Sequence, residues 1–295
     1  MKKFLFILSL IASLAGNRLS AQDLANAYVN VSGTMVYVEG GGTGKGTRTI
    51  LVHAGFQDRT IWDAQAKELM KDHVIIMLDL PGHGKTKDGP EPPMAADVIK
   101  VVMDSLQIKK ANLVGISLGG AVVTDFAIAH PQRVEKLILV STALIGWDEG
   151  RKLDTTTTQY FSQFNTALTN KDTAGAAEVF THYWFDGLTR SEKTVSPLLR
   201  NLFYTTTKNT LRQHHASGWP KFATPSAITK ISDLKVPTLL LTGTLDLPEE
   251  LLINGYLVNN LPNASQVMIS GAAHMINMEK PERFNQEVRK FLDGK

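Results

Sequence analysis

The chain has 295 residues, of which 43% are hydrophobic and 20% are charged, and it contains no cysteine. This is globular composition with enough apolar residues for one large core, and it excludes disulfides and a lipid-anchored cysteine. The formal net charge of +3 comes from residues 1–21, which hold three basic residues and no acidic one. The remainder is neutral overall, which argues against a nucleic-acid or anionic-membrane partner.

The first 22 residues, MKKFLFILSLIASLAGNRLSAQ, have the three parts of a secretory signal peptide. Two lysines form a basic tip, an apolar run extends from Phe4 to Ala15, and small residues follow at Ser20 and Ala21. The run is shorter than the ~20 residues that a membrane-spanning helix needs. We therefore expect cleavage after Ala21, no membrane anchor in the mature chain, and a secreted or periplasmic protein.

Strand and helix patterns then alternate along the first half of the chain. Short runs of β-forming or continuously apolar residues predict strands at 28–32, 34–39, 49–54, 73–80, 111–117 and 136–142. Helical spacing of apolar residues predicts helices at 61–72, 94–108 and 118–130. Because most of these strands lack polar alternation, they predict a mostly parallel sheet with helices on both faces.

The alternation stops between residues 144 and 235, a segment rich in threonine and aromatic residues. Its many apolar anchors predict a helical insertion rather than a disordered linker. Strands at 238–244 and 266–271 and helices at 249–260 and 281–294 then resume the pattern. The predicted organisation is a signal peptide (1–21), a first core part (22–143), a helical cap (144–235) and a second core part (236–295).

The glycine-rich stretch EGGGTGKGTRTILVHAGF, residues 39–56, resembles a phosphate-binding loop only superficially. A P-loop requires Ser or Thr after its Gly-Lys pair and a helix next, but here Gly46 follows Lys45 and a strand comes next. The stretch is therefore interpreted as a connection between two strands, and nucleotide binding is not expected.

The pentapeptide GISLG, residues 115–119, fits the G-x-S-x-G pattern at a predicted strand-to-helix turn. In a nucleophile elbow the glycines relieve crowding, the serine is pushed out above the sheet edge, and the helix N-terminus favours negative charge. Ser117 is therefore the candidate nucleophile. A serine at an ordinary tight turn is the structural alternative.

A serine hydroxyl needs a base, and the base needs an acid to orient it. His274 and Asp246 each follow a predicted strand, and catalytic groups gather at the carboxyl ends of parallel strands. The other histidines are interpreted as structural or solvated: His53, His83, His130, His214 and His215. Asp79 also ends a strand, but its place before the serine favours a role in holding a loop.

The oxyanion intermediate requires two amide donors. One should belong to Leu118, directly after the nucleophile, and the other to the loop after the strand at 49–54. Gly55 is the expected second donor, and its neighbour Phe56 is the alternative.

Five motifs in this order resemble the α/β-hydrolase fold superfamily from about Tyr28 to Leu292. They are HAGFQDRTIWD, DLPGHGKT, GISLGG, GTLD and GAAHMINMEKPERFN. Ala54, Thr86 and Ala273 depart from the usual residues of these motifs. The resemblance implies an α/β-hydrolase fold with an inserted cap, a Ser117–Asp246–His274 triad, and no cofactor or metal.

A serine at the elbow, rather than the aspartate of relatives that resemble haloalkane dehalogenases, implies hydrolysis of small carboxylic esters or lactones through an acyl-enzyme. The aromatic cap residues either line an apolar pocket or form the core of the cap. Two other functions stay open: a carbon–carbon bond hydrolase of the same fold, and a slow-turnover ligand-binding protein. The sequence does not indicate an oligomeric state.

Overall fold

The computed structural model describes residues 25–44, 46–213 and 219–294. The expected signal peptide and the pair His214 and His215 lie outside these described residues, so their predictions stay predictions.

Eight strands form one sheet in the order β1-β2-β4-β3-β5-β6-β7-β8. They are β1 (Ala25–Val31), β2 (Thr34–Gly41), β3 (Arg48–Val52), β4 (Ile75–Leu78), β5 (Ala111–Ile116), β6 (Val134–Val140), β7 (Thr238–Gly243) and β8 (Ala264–Ile269). Only the pairs β1–β2 and β2–β4 are antiparallel, and all other neighbours are parallel. The predicted mostly parallel sheet is therefore confirmed.

Nine α-helices accompany the sheet within the described residues. They are α1 (Asp63–Leu69), α2 (Ala95–Ser105), α3 (Leu118–Ala129), α4 (Thr155–Thr169), α5 (Thr173–Thr181), α6 (Pro197–Gln213), α7 (Pro248–Asn260), α8 (Ile276–Glu279) and α9 (Pro281–Asp293). The four-residue α8 was not predicted, since it is too short to show helical periodicity. None of the described helices combines the length and the hydropathy needed to cross a membrane.

Successive residues of the central strands enter two separate apolar clusters, one on each face of the sheet. Ile50 and Val52 of β3 pack in the cluster that contains α2 and α3, whereas Leu51 packs in the cluster that contains α1 and α9. Because both faces are covered, both sets of side chains must be apolar. This explains the continuous hydrophobic runs from which the parallel sheet was predicted.

The segment between β6 and β7 is helical, as expected, and contains α4, α5 and α6. Asp154 caps α4 by accepting hydrogen bonds from the amides of Thr156 and Thr157, at 2.7 and 3.1 Å. Seven aromatic side chains of this segment are buried: Trp147, Tyr160, Phe164, Phe180, Tyr183, Phe185 and Phe203. They belong to the same apolar clusters as the side chains of the sheet, so most aromatic residues of the segment stabilise the fold rather than line a pocket.

The glycines between β2 and β3 have a steric explanation. A Cβ on Gly42 would lie 2.0 Å from the carbonyl oxygen of His73, and one on Gly44 would lie 2.3 Å from that of Asp72. The loop thus passes directly over the backbone that leads into β4, and only glycine permits this approach.

Candidate active site

Ser117 lies at a sharp turn between β5 and α3. Its backbone has φ 53° and ψ −118°, a conformation that a non-glycine residue adopts only under strain. A Cβ on Gly115 would lie 2.2 Å from the carbonyl oxygen of Gly119, and one on Gly119 would lie 2.2 Å from that of Val52. Both glycines of the pentapeptide are therefore required by close backbone packing, which is the geometry of a nucleophile elbow.

His274 and Asp246 form a buried pair at the same edge of the sheet. Nδ1 of His274 lies 3.0 and 3.2 Å from the two carboxylate oxygens of Asp246, and the two side chains are 2% and 0% exposed. Since a carboxylate accepts, the hydrogen of the neutral imidazole resides on Nδ1, and Nε2 carries a lone pair. The amide of Leu247 also donates to Asp246, at 2.9 Å. The pair is thus oriented for Nε2 to act as a base.

Nε2 of His274 is buried and has no hydrogen-bond partner among the described residues. It therefore makes no hydrogen bond with the hydroxyl of Ser117 in this structure. Such bonds are often long in unliganded enzymes and tighten when substrate binds. The structure joins two of the three predicted catalytic residues directly and leaves Nε2, the atom that would face the third, unpartnered.

Gly55 and Leu118, the expected oxyanion donors, are neighbours. A Cβ on Gly55 would lie 3.8 Å from Cβ of Leu118, and neither amide donates to another group in the described part of the chain. The amide of Phe56, by contrast, donates to Nε2 of His83 at 3.0 Å. Phe56 is therefore already engaged, and Gly55 is the better second donor.

The sequence that contains this site matches a known protein family. A family model described as alpha/beta hydrolase fold matches residues 49–281, which extend from β3 to the start of α9. The chain belongs to the α/β hydrolase fold family. The order of its strands and the elbow at Ser117 are the structural counterpart of that match.

Several named relatives of this α/β hydrolase are hydrolases and esterases. A 2-hydroxy-6-oxononadienedioate/2-hydroxy-6-oxononatrienedioate hydrolase of Burkholderia vietnamiensis is 28% identical, with 92% of this chain and 96% of the relative covered. An esterase of Rhodococcus sp. ECU1013 has a TM-score of 0.75 at 24% identity, covering 92% and 98% of the two chains. The carboxylesterase CesB of Bacillus subtilis has a TM-score of 0.73 at 22% identity, covering 92% and 93%. The chain is accordingly an enzyme of the hydrolase class.

Two tryptophans of the cap contact groups of the candidate site. The ring of Trp184 meets His274 edge-on at 4.5 Å, and Trp219 lies 3.0 Å from the position of a Cβ on Gly55. Trp219 also packs on Phe56 at 4.8 Å. The sequence marked the aromatic residues of this segment but not which of them reach the site, because that depends on the π-helical turn His182–Asp186, which carries Trp184.

Asp79 does not contact His274. It connects the loop after β3 with the loop after β4. Its carboxylate accepts the amide hydrogens of Arg59 and Lys85, each at 2.8 Å. Burial raises the pKa of Asp79, and the nearby His53 partly opposes that increase. Burial also lowers the pKa of His53, so its ring stays neutral.

No group of three or more metal-ligating side chains was found among the described residues.

Glu250 is a buried acid beside the pair of His274 and Asp246, and sequence reasoning missed it. It lies in the first turn of α7, is 8% exposed, and its Oε2 atom has no hydrogen-bond partner in the described residues. Burial raises its pKa well above 4.5, and the charges of Asp246 and Glu249 raise it further. Burial and the neighbouring negative charges both favour the neutral form of this carboxyl group.

We expect Glu250→Gln to stabilise the enzyme above about pH 5. The folded protein binds the Glu250 proton more tightly than the unfolded chain, so wild-type stability falls as pH rises above the unfolded value, near 4.5. Glutamine does not titrate, so the melting temperature of the variant should equal that of wild type near pH 4 and exceed it by a few degrees at pH 8.

The matched control is Glu282→Gln, at an exposed glutamate in the first turn of α9. It should show no gain that grows with pH. A melting-temperature difference for Glu250→Gln that is the same at pH 4 and pH 8 would contradict the assignment of a raised pKa.

Proposed function

We propose that the chain is a secreted or periplasmic serine hydrolase that cleaves small carboxylic esters or lactones through an acyl-enzyme. The observation that carries the proposal is the buried pair of His274 and Asp246, with Nε2 unpartnered, at the sheet edge where the elbow presents Ser117. The localisation rests on the signal-peptide pattern of residues 1–21.

In the proposed first step, Nε2 of His274 removes the hydroxyl proton of Ser117 as Oγ attacks the carbonyl carbon. Asp246 stabilises the imidazolium that results. The carbonyl oxygen becomes an oxyanion, which the amides of Gly55 and Leu118 bind. Leu118 is the first residue of α3, so the positive end of the helix dipole also favours this negative charge.

The second half of the reaction returns the proton. His274 protonates the leaving alcohol, the tetrahedral intermediate collapses, and an acyl group stays on Oγ of Ser117. Water then attacks the acyl-enzyme with His274 again as base, and Ser117 recovers its proton when the acid leaves. Apart from the substrate and one water molecule, each step uses only groups of the chain.

The charges of the cap favour a neutral substrate over an anionic one. A carbon–carbon bond hydrolase is the alternative, and the Burkholderia relative is named for a substrate that carries two carboxylates. The two cap arginines with largely buried side chains are both paired: Arg190 with Glu279, and Arg200 with Asp186 and Glu178. Neither is available to bind a substrate carboxylate. The aromatic contacts around the site instead suit an apolar acyl or aryl group.

Labelling with a fluorophosphonate tests the proposal, because this reagent bonds only to an activated serine. One adduct per chain should appear in the intact mass of wild type and none in that of Ser117→Ala. Ser141→Ala is the matched control, since Ser141 also follows a strand, has φ 38° and is buried without a partner for its hydroxyl among the described residues. It should label like wild type.

Failure to label wild type would overturn the proposal and favour the slow-turnover binding protein. An adduct that persists in Ser117→Ala would place the nucleophile elsewhere. The same spectrum, recorded on protein recovered after expression of the full chain, also shows whether residues 1–21 have been removed.

A further inference from the structure

His83 makes two hydrogen bonds that fix its tautomer. Nδ1 lies 2.9 Å from the carbonyl oxygen of Pro81, and Nε2 lies 3.0 Å from the amide nitrogen of Phe56. A carbonyl can only accept and an amide can only donate. Therefore Nδ1 carries the hydrogen, Nε2 accepts, and only the neutral ring can make both bonds at once.

The amide that His83 accepts belongs to a strained turn. Phe56 has φ 56°, and the turn closes through a hydrogen bond of 3.2 Å from the amide of Gln57 to the carbonyl of Ala54. The third position of a turn with positive φ normally holds glycine or asparagine. A bulky aromatic residue stays there only if the surroundings hold it, and the bond to His83 does so from the adjacent loop.

The aromatic ring of Phe56 also links this turn to the cap. It packs on Phe164, Phe180 and Trp219, with ring centroids 4.8 to 5.5 Å apart. Any displacement of the cap therefore acts on the backbone of Phe56. Gly55, the expected oxyanion donor, is the preceding residue: its amide lies in the Ala54–Gly55 peptide, which shares the α-carbon of Gly55 with the peptide that His83 holds, so a rotation of the second peptide redirects the first.

His53 connects the same two loops in the opposite direction. Its Nδ1 lies 2.8 Å from the carbonyl of Ala54, its Nε2 accepts from the amide of Leu80 at 2.9 Å, and its ring lies 5.0 Å from that of His83. Each histidine thus accepts an amide hydrogen from the loop that carries the other. Both rings are buried, so water does not compete for these bonds.

We infer that His83 is a positioning residue for the oxyanion hole: its neutral Nε2 accepts the Phe56 amide and thereby aims the amide of Gly55 at the reacting carbonyl. The inference rests on the proposed function, which places the oxyanion at Gly55 and Leu118. His83 acts through the backbone and does not touch the substrate.

The test compares His83→Phe with His83→Gln. Phenylalanine keeps the ring but loses the acceptor, whereas the side-chain oxygen of glutamine lies three bonds from Cβ, as Nε2 does. We expect His83→Phe to lower kcat for a p-nitrophenyl ester about 100-fold, the typical effect of one lost oxyanion donor, with KM changed less than threefold. His83→Gln should recover most of kcat. His130→Phe, on a histidine that ends α3, is the matched control and should leave kcat unchanged.

A second measurement does not depend on turnover. Amide hydrogen exchange in a peptide that spans residues 54–57 should be faster in His83→Phe than in wild type, and close to wild type in His83→Gln. Unchanged exchange in His83→Phe overturns the inference whatever the activity. Equal losses of kcat in both variants also overturn it, because they indicate a packing role. Absence of esterase activity in wild type sinks the proposed function instead, and the exchange result then decides the role of His83.

Discussion

Ser117→Ala should lower kcat for ester hydrolysis by about 10⁶-fold, since the variant retains no oxygen that can form the acyl-enzyme. What remains should exceed the uncatalysed rate by about 10³-fold, because the amides of Gly55 and Leu118 can still stabilise the oxyanion of a direct water attack. KM should change little, because Ser117 contributes to bond formation rather than to binding.

The measurement is steady-state turnover of a p-nitrophenyl ester, with active-site titration to exclude contaminating wild type. Ser141→Ala, at the end of the neighbouring strand β6, is the control. It should retain kcat within about threefold, as expected for a conservative change at a residue without a catalytic role. A Ser117→Ala variant that retains a tenth of wild-type activity would be incompatible with a serine mechanism at this position.

Asp246→Asn should lower kcat by about 10⁴-fold at neutral pH while the protein stays folded. An asparagine amide can donate to Nδ1 of His274, which moves the imidazole hydrogen to Nε2 and removes the lone pair that the mechanism needs. It also cannot stabilise the imidazolium as a carboxylate does. Thermal stability should fall far less than activity, because asparagine is close in size to aspartate and its side-chain oxygen can still accept the amide hydrogen of Leu247.

Asp125→Asn is the matched control for this prediction. Asp125 is also a buried acid, 4% exposed, and burial raises its pKa, but it lies on α3 away from His274. Replacing it with the neutral amide should leave kcat within a few-fold of wild type. Equal activity of Asp246→Asn and Asp125→Asn would remove Asp246 from the mechanism.

The elbow, and the placing of Ser117, Asp246 and His274 as candidate catalytic residues, could be predicted because they depend on local or topological features. Gly115, Ser117 and Gly119 lie within five residues, and the reason for their spacing is steric. Asp246 and His274 each follow an apolar strand, and parallel strands bring such positions to one edge whatever the intervening chain does. Both predictions are independent of how the cap packs on the core.

The sequence favoured Gly55 over Phe56 as the second donor, but it could not show that the amide of Phe56 is already engaged. The acceptor is His83, a residue far along the chain that lies in a different loop. The same limit applied to Trp184 and Trp219. Their aromatic character was evident, but contact with His274 and Gly55 follows from the three-dimensional path of the cap.

The buried position of Glu250 also could not be predicted, because the residues around it have the pattern of an ordinary surface helix. A proline and two glutamates in a first helical turn are a common helix start, and their usual setting is solvent. Only the packing of α7 against the sheet buries the second glutamate next to Asp246. Burial and charge proximity are tertiary properties, so the raised pKa could not be inferred.

The sheet order has a consequence for when this enzyme can become active. The strand that precedes His274 is β8, which lies at the edge of the sheet and pairs only with β7. His274, the proposed base, therefore reaches its position only when this last strand has docked on β7. Such long-range pairing forms slowly compared with local turns. In the proposed mechanism, Ser117 is therefore an ordinary, unactivated alcohol until β8 has paired with β7.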